Sequence, residues 1–197
     1  MRGSISIGRI IHRYLIVIAL SLTAYGCATC QSDGLNVEPE LHAAFVPQAT
    51  IIKKYGNSTL RNPFMPSNGI LSATEDFFYV IEFRVDNACA EAVFLNAYVE
   101  SYETMPYTIL YKGNLEDYWA RNSYVSLDSP TVRKAVLLRA RRIAELAIPE
   151  NEGFSLSVKQ PKYLVVYTNE KLTTGSRLII DIQLGEAVKN CSVILVD

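Results

Sequence analysis

Phe77-Phe78-Tyr79-Val80-Ile81-Glu82-Phe83-Arg84-Val85 is the stretch that decides the fold class. Phe77, Tyr79, Ile81, Phe83 and Val85 alternate with Phe78, Val80, Glu82, Arg84 and Asp86. A period of two puts the first set on one face of a β-strand and makes that the core face. A second alternating run follows, with Val93, Leu95, Ala97 and Val99 set against Phe94, Asn96, Tyr98 and Glu100. The link between the runs, Asp86 to Ala90, is short and polar, so they are expected to pair as an antiparallel hairpin.

Further strands are expected at 107–112, 154–158, 163–167, 177–184 and 191–196, where β-branched and aromatic residues concentrate. Thr173-Thr-Gly-Ser176 and Gly185 punctuate them. Residues 49–55 read as an earlier strand. Residues 56–69 read as a loop, broken at Asn62-Pro63 and Met65-Pro-Ser-Asn-Gly69. Two helices interrupt this pattern. Asn114 can cap a short helix through Trp119, with Asp117 in its first turn. Asp128-Ser129-Pro130 is a start signal for a helix over 130–147, in which Val132, Val136, Ala140, Ile143 and Ala147 recur at helical spacing. The helix is expected to cover an edge or an open end. Strands at short spacing predict a mainly β protein, an antiparallel β-sandwich, immunoglobulin-like or similar, with one or two helical insertions.

The N-terminus has a different character. Arg2, Arg9 and Arg13 precede an apolar run from Tyr14 to Leu20, and small residues lead to Ala24-Tyr25-Gly26-Cys27. A positive start, a short apolar middle and small residues at a cleavage site are the layout of a secretory signal. The apolar stretch is about half of the roughly 20 residues that a spanning helix needs. No second long apolar stretch follows.

The end of this segment resembles the lipobox of bacterial lipoproteins, the class cleaved immediately before a cysteine. Gly26 and Cys27 fit the pattern, while Ala24 stands where Leu is favoured and Tyr25 where a small residue is usual. The resemblance implies a signal peptide over 1–26 and a lipid on Cys27. A flexible tether would fill 27–45 and a single domain 46–197. It also implies more than one acyl chain on Cys27, a stable anchor where one chain holds only marginally. Ala28, rather than an acidic residue, follows Cys27, which by the same resemblance implies sorting to an outer membrane. Ordinary cleavage near Gly26 or after Ala28, leaving a soluble secreted protein, is the other outcome.

Removal of the leader leaves roughly 170 residues, enough for one domain with a real core. The chain has 19 basic and 20 acidic residues. Three of the basic ones lie in the leader, so cleavage takes the net charge from −1 to −4. That balance argues against a nucleic-acid partner, which calls for positive excess. The four cysteines are Cys27, Cys30, Cys89 and Cys191. In an oxidising compartment the expected bridge is Cys89–Cys191, closing a loop worth up to roughly 4–5 kcal/mol by the chain-entropy estimate. Two separate buried thiols are the alternative. Cys27-Ala-Thr-Cys30 spells C-x-x-C, but at a cleavage junction rather than at a helix start in a βαβ unit.

No catalytic signature is present. His42 is the one histidine beyond the leader, and zinc sites and nucleophilic triads need more. Nothing matches GxSxG, a phosphate loop, HExxH or a calcium loop. The pairs Glu75-Asp76 and Glu116-Asp117 read as solvated or capping acids. The expectation is no enzyme, no cofactor and no metal. Two features suggest contact surfaces. Tyr98, Tyr102, Tyr107, Tyr111, Tyr118 and Trp119 can line a face for a glycan or an envelope protein. Arg133, Lys134, Arg139, Arg141 and Arg142 lie beside the apolar stripe of one helix, a pattern suited to an anionic surface. The function this predicts is that of an exported, lipid-anchored binding or structural module of the cell envelope. A ligand carrier with a β-barrel cavity, or a hydrolase with a carboxylate site not visible in the sequence, are the alternatives.

Overall fold

The computed structural model describes residues 39–67, 75–86, 89–101, 106–122 and 127–195. The leader, Cys27, Cys30 and Tyr102 lie outside the described residues. Among the described residues eight strands and three helices follow in the order β1 (Leu41–Val46), α1 (Gln48–Tyr55), β2 (Phe77–Val85), β3 (Cys89–Glu100), β4 (Tyr107–Leu110), α2 (Lys112–Asn122), α3 (Pro130–Leu146), β5 (Gly153–Ser157), β6 (Lys162–Thr168), β7 (Arg177–Leu184) and β8 (Ala187–Ile194).

The strands form two four-stranded antiparallel sheets, ordered β1-β2-β6-β4 and β5-β3-β7-β8. The protein is therefore mainly β and sandwich-like. The expected β2–β3 hairpin does not form. Strand β2 is flanked by β1 and β6, and β3 by β5 and β7, so the chain crosses between sheets at the polar link. Residues 41–45, expected to be tether, are strand: Leu41 pairs with Val85 and Phe45 with Ile81. Residues 49–55, expected to be strand, are helix α1, which buries Ile51 and turns Lys53 and Lys54 into its last turn. Gly56, at φ 90°, ends that helix, its N–H bonding Ile52 O at 2.8 Å. A side chain would be strained in this left-handed conformation.

Alternation in β2 holds, but both of its faces are buried. Tyr79, Ile81, Phe83 and Val85 face the second sheet and meet Phe94, Leu156, Leu178, Ile180 and Ile182 in the inter-sheet core. Phe78 and Val80 face the other way, into a second core with Ile51, Phe64, Leu115, Trp119, Ile143, Tyr163 and Val165. The helices thus cover the outer face of the β1-β2-β6-β4 sheet rather than an edge or an open end. Fully burying one large apolar side chain stabilises by about 1.5–3 kcal/mol. A strand buried on both sides therefore contributes about twice what a half-exposed strand does. Helix α3 starts at Pro130 as expected, although Ser129 makes no side-chain capping bond. Strand β3 carries a register shift between Phe94 and Asn96, and Leu95 is left exposed there.

Candidate functional site

On the helix-facing side of β2 and β6 an apolar pair, Val80 opposite Val165, is bracketed by two polar clusters. Both arise from cross-strand neighbours, Glu82 opposite Tyr163 at one end and Phe78 opposite Tyr167 at the other.

At the first end, the Tyr163 hydroxyl donates to Glu82 Oε2 at 2.6 Å and accepts from Lys54 Nζ at 2.5 Å and Tyr55 Oη at 3.0 Å. Arg84 completes the set, 2.5 Å from Glu82 Oε1. Burial, then the bonds to Glu82 and Tyr55, hold the Tyr163 hydroxyl well above the usual tyrosine range. This arrangement fits a structural role. The negative end is neutralised by Lys54 and Arg84, and the phenol is kept protonated.

At the second end a cleft opens among β4, α2 and the end of β6, with a volume of about 580 Å3. Its floor is Asp76, buried just before β2. The Tyr118 hydroxyl donates to Asp76 Oδ2 at 2.8 Å while accepting the Ser67 N–H at 2.8 Å. The Tyr167 hydroxyl lies 3.1 Å from Asp76 Oδ1. Burial, chiefly, raises both phenols; the Ser67 bond opposes this at Tyr118, and Asp76 adds to it at both. The wall comprises Thr108, Asn114, Arg121 and Asn122, which are exposed. A carboxylate, two amides, a guanidinium, hydroxyls and tyrosine rings thus line a space of the size usual for small-ligand sites, about 300–1,000 Å3.

The expected aromatic face is not one surface. Tyr98 is exposed on the outer side of the second sheet, and Tyr107 is exposed at the start of β4. Tyr111 packs edge-on against Phe94 at the inter-sheet core. Tyr118 alone among the described residues of the set lines the cleft. Trp119 is 4% exposed. Its Nε1 donates to Pro63 O at 3.0 Å, and the Arg139 guanidinium stacks on its ring at 4.1 Å. The rings part because α2 turns Tyr118 and Trp119 inward, while strand alternation sends Tyr98 outward.

The basic set also divides. Arg139 is buried and donates to Thr59 O at 2.9 Å. Arg142 donates to Tyr55 O at 3.0 Å and Arg61 O at 2.8 Å. These two hold the loop after α1. Arg133, Lys134 and Arg141 remain exposed.

Cys191 is a free thiol opposite Ile180 on the edge strand β8, whereas Cys89 pairs in register with Ser157. The expected Cys89–Cys191 bridge is therefore not formed. Burial, then Asp181, raises the Cys191 thiol. Near the domain's start, β1–β2 pairing brings Glu40, His42 and Asp86 together, with ligand atoms within 4.8 Å of one another and all three exposed. His42 Nε2 lies 2.8 Å from Asp86 Oδ2.

Sequence reasoning missed Asp76 as a site residue. The signal available was the helical spacing of Leu115, Tyr118 and Trp119 (i, i+3, i+4), which marks a buried stripe and turns Tyr118 toward the sheet. The chain matches no protein family, no curated protein and no solved structure.

Proposed function

We propose that this chain is an exported, membrane-tethered protein of the cell envelope whose sandwich domain binds a polyhydroxylated ligand, a sugar residue of an envelope glycan. Export rests on the charged and apolar layout of residues 1–27, and the tether on the lipobox-like Gly26-Cys27. Among the described residues no helix is long and apolar enough to cross a membrane.

The observation that carries the binding role is the cleft over Asp76. Sugar hydroxyls need donors and acceptors side by side together with an apolar ring face. Asp76, Asn114, Asn122 and Arg121 offer the first, and the partly buried Tyr167 the second, with the Tyr118 hydroxyl beneath it. Packed side chains between the sheets favour a surface binding module over a carrier with a central cavity. The test is calorimetric titration of the full chain with envelope oligosaccharides. Arg121→Ala and Asn114→Ala, both at exposed positions, are expected to weaken binding at least tenfold with an unchanged melting temperature. Binding unaffected by both would reject the cleft.

The finer architecture we read as immunoglobulin-like. The orders β1-β2-β6-β4 and β5-β3-β7-β8 correspond to A-B-E-D and C′-C-F-G of that sandwich. The D-like strand, β4, precedes the C′-like strand, β5, along the chain, and α2 and α3 lie between them.

A further inference from the structure

Of the five basic residues on α3, Arg139 and Arg142 are bonded to the loop after α1. The other three face outward with two leucines among them. Leu137 is 64% exposed and Leu138 38%, and Arg133, Lys134 and Arg141 flank them. At 3.6 residues per turn these five side chains occupy an arc of roughly 140°. Leu127 extends the patch: it is 50% exposed, and its carbonyl accepts from Arg133 Nη2 at 3.2 Å. A mainly apolar groove of about 310 Å3 between α2 and α3, lined by Leu127, Val136 and Ala140 with Glu116 and Arg139 among them, runs along its side. Arg141 is paired with Glu145 at 2.6 Å. The positive excess therefore lies at Arg133 and Lys134, the fourth and fifth residues of the helix, and exceeds the single exposed acid at its start, Asp128.

We propose that this face of α3 docks onto an anionic phospholipid surface. The leucines enter the boundary between headgroups and acyl chains, and Arg133 and Lys134 meet the headgroup phosphates. Leu137 and Leu138 stand about 100° apart on α3 with Arg141 and Lys134 between them, and exposed leucines interleaved with cations in an acidic domain suit a negative partner. The inference rests on the tether of the proposed function for its local concentration. Residues 27–40 of an extended chain reach at most about 50 Å, so an anchored domain always lies within range of the bilayer.

The test uses the full chain purified from native membranes and reconstituted into vesicles. In a Cys191→Ser background, Leu137→Cys carries an environment-sensitive fluorophore. Vesicles of phosphatidylcholine alone are compared with a two-to-one mixture with phosphatidylglycerol. The expected result is blue-shifted emission in the anionic vesicles only. In R133Q/K134Q the docked-to-undocked ratio should fall about 30-fold, the equivalent of about 1 kcal/mol for each cation lost. Equal emission in both vesicles, no change in the double variant, or a blue shift that tracks protein concentration instead of phosphatidylglycerol would each overturn docking. Intact mass of the same preparation reports Cys27 separately, so loss of the tether is distinguished from loss of docking.

Discussion

Replacing Trp119 with alanine separates a core residue from a binding residue. A ring on a ligand-binding face would be removed with the fold intact. Trp119 is instead 4% exposed. The substitution empties a large volume in the helical core and removes the indole N–H bond to Pro63 O. It also takes away the ring beneath the Arg139 guanidinium, 4.1 Å distant, and the edge contact with Tyr118 at 5.3 Å. Trp→Ala in a core costs about 3–5 kcal/mol. The stranded Arg139, buried with a bond to Thr59 O, puts the expected loss at the upper end, about 4–5 kcal/mol. Domains have total stabilities of about 5–15 kcal/mol, so this variant should be close to unfolding at room temperature. The assay is urea denaturation followed by far-ultraviolet circular dichroism. Trp119→Phe serves as a milder control, keeping most of the volume and losing only the N–H bond, about 1–2 kcal/mol. Because the chain has one tryptophan, native emission reports this site alone and should be blue-shifted. An alanine variant within about 1 kcal/mol of the parent, with red-shifted parent emission, would refute the placement of Trp119 in the core.

Other consequences are as direct. The buried Tyr163 and Tyr118 hydroxyls have raised pKa values in the folded state. The stability tied to their protonated forms is thus complete below the unfolded value near pH 10 and lost as pH rises above it. Each should contribute a loss of about 1 kcal/mol between pH 10 and 11; Tyr163→Phe should flatten the melting-temperature profile there, and an unchanged slope would contradict the burial argument. Asp76→Ala removes the acceptor of Tyr118 and Tyr167 and should cost about 2–3 kcal/mol in chemical denaturation. The Cys191 thiol, raised by burial, should react slowly with disulfide reagents at neutral pH and faster as pH rises, whereas rapid reaction at pH 7 would place it in the open.

The sequence revealed the strands more readily than their surroundings. The alternation of β2 is legible, yet it marks only Phe77, Tyr79, Ile81, Phe83 and Val85 as core-facing. The unbroken apolar run from Phe77 to Ile81 already carries the signature of a strand buried on both faces. Helix α1 was masked by Thr50-Ile51-Ile52, a β-branched run whose local preference yields to burial of Ile51 in the helical core. The β2–β3 crossing was hidden because a short polar link looks alike whether the chain turns within a sheet or passes between two. The cleft was illegible for a different reason. Asp76 is 42 residues from Tyr118 and 91 from Tyr167, and only the fold brings an acid that reads as solvated beneath two phenols. The split of the basic helix was likewise set by distant partners, Thr59, Tyr55 and Arg61.

A membrane-tethered binding module stands or falls first on its tether, and intact mass spectrometry of the mature protein from native membranes addresses that most directly. The expected species begins at Cys27 and carries acyl mass on that residue. An unmodified chain, or one beginning beyond Cys27 and recovered in the soluble fraction, would contradict the account.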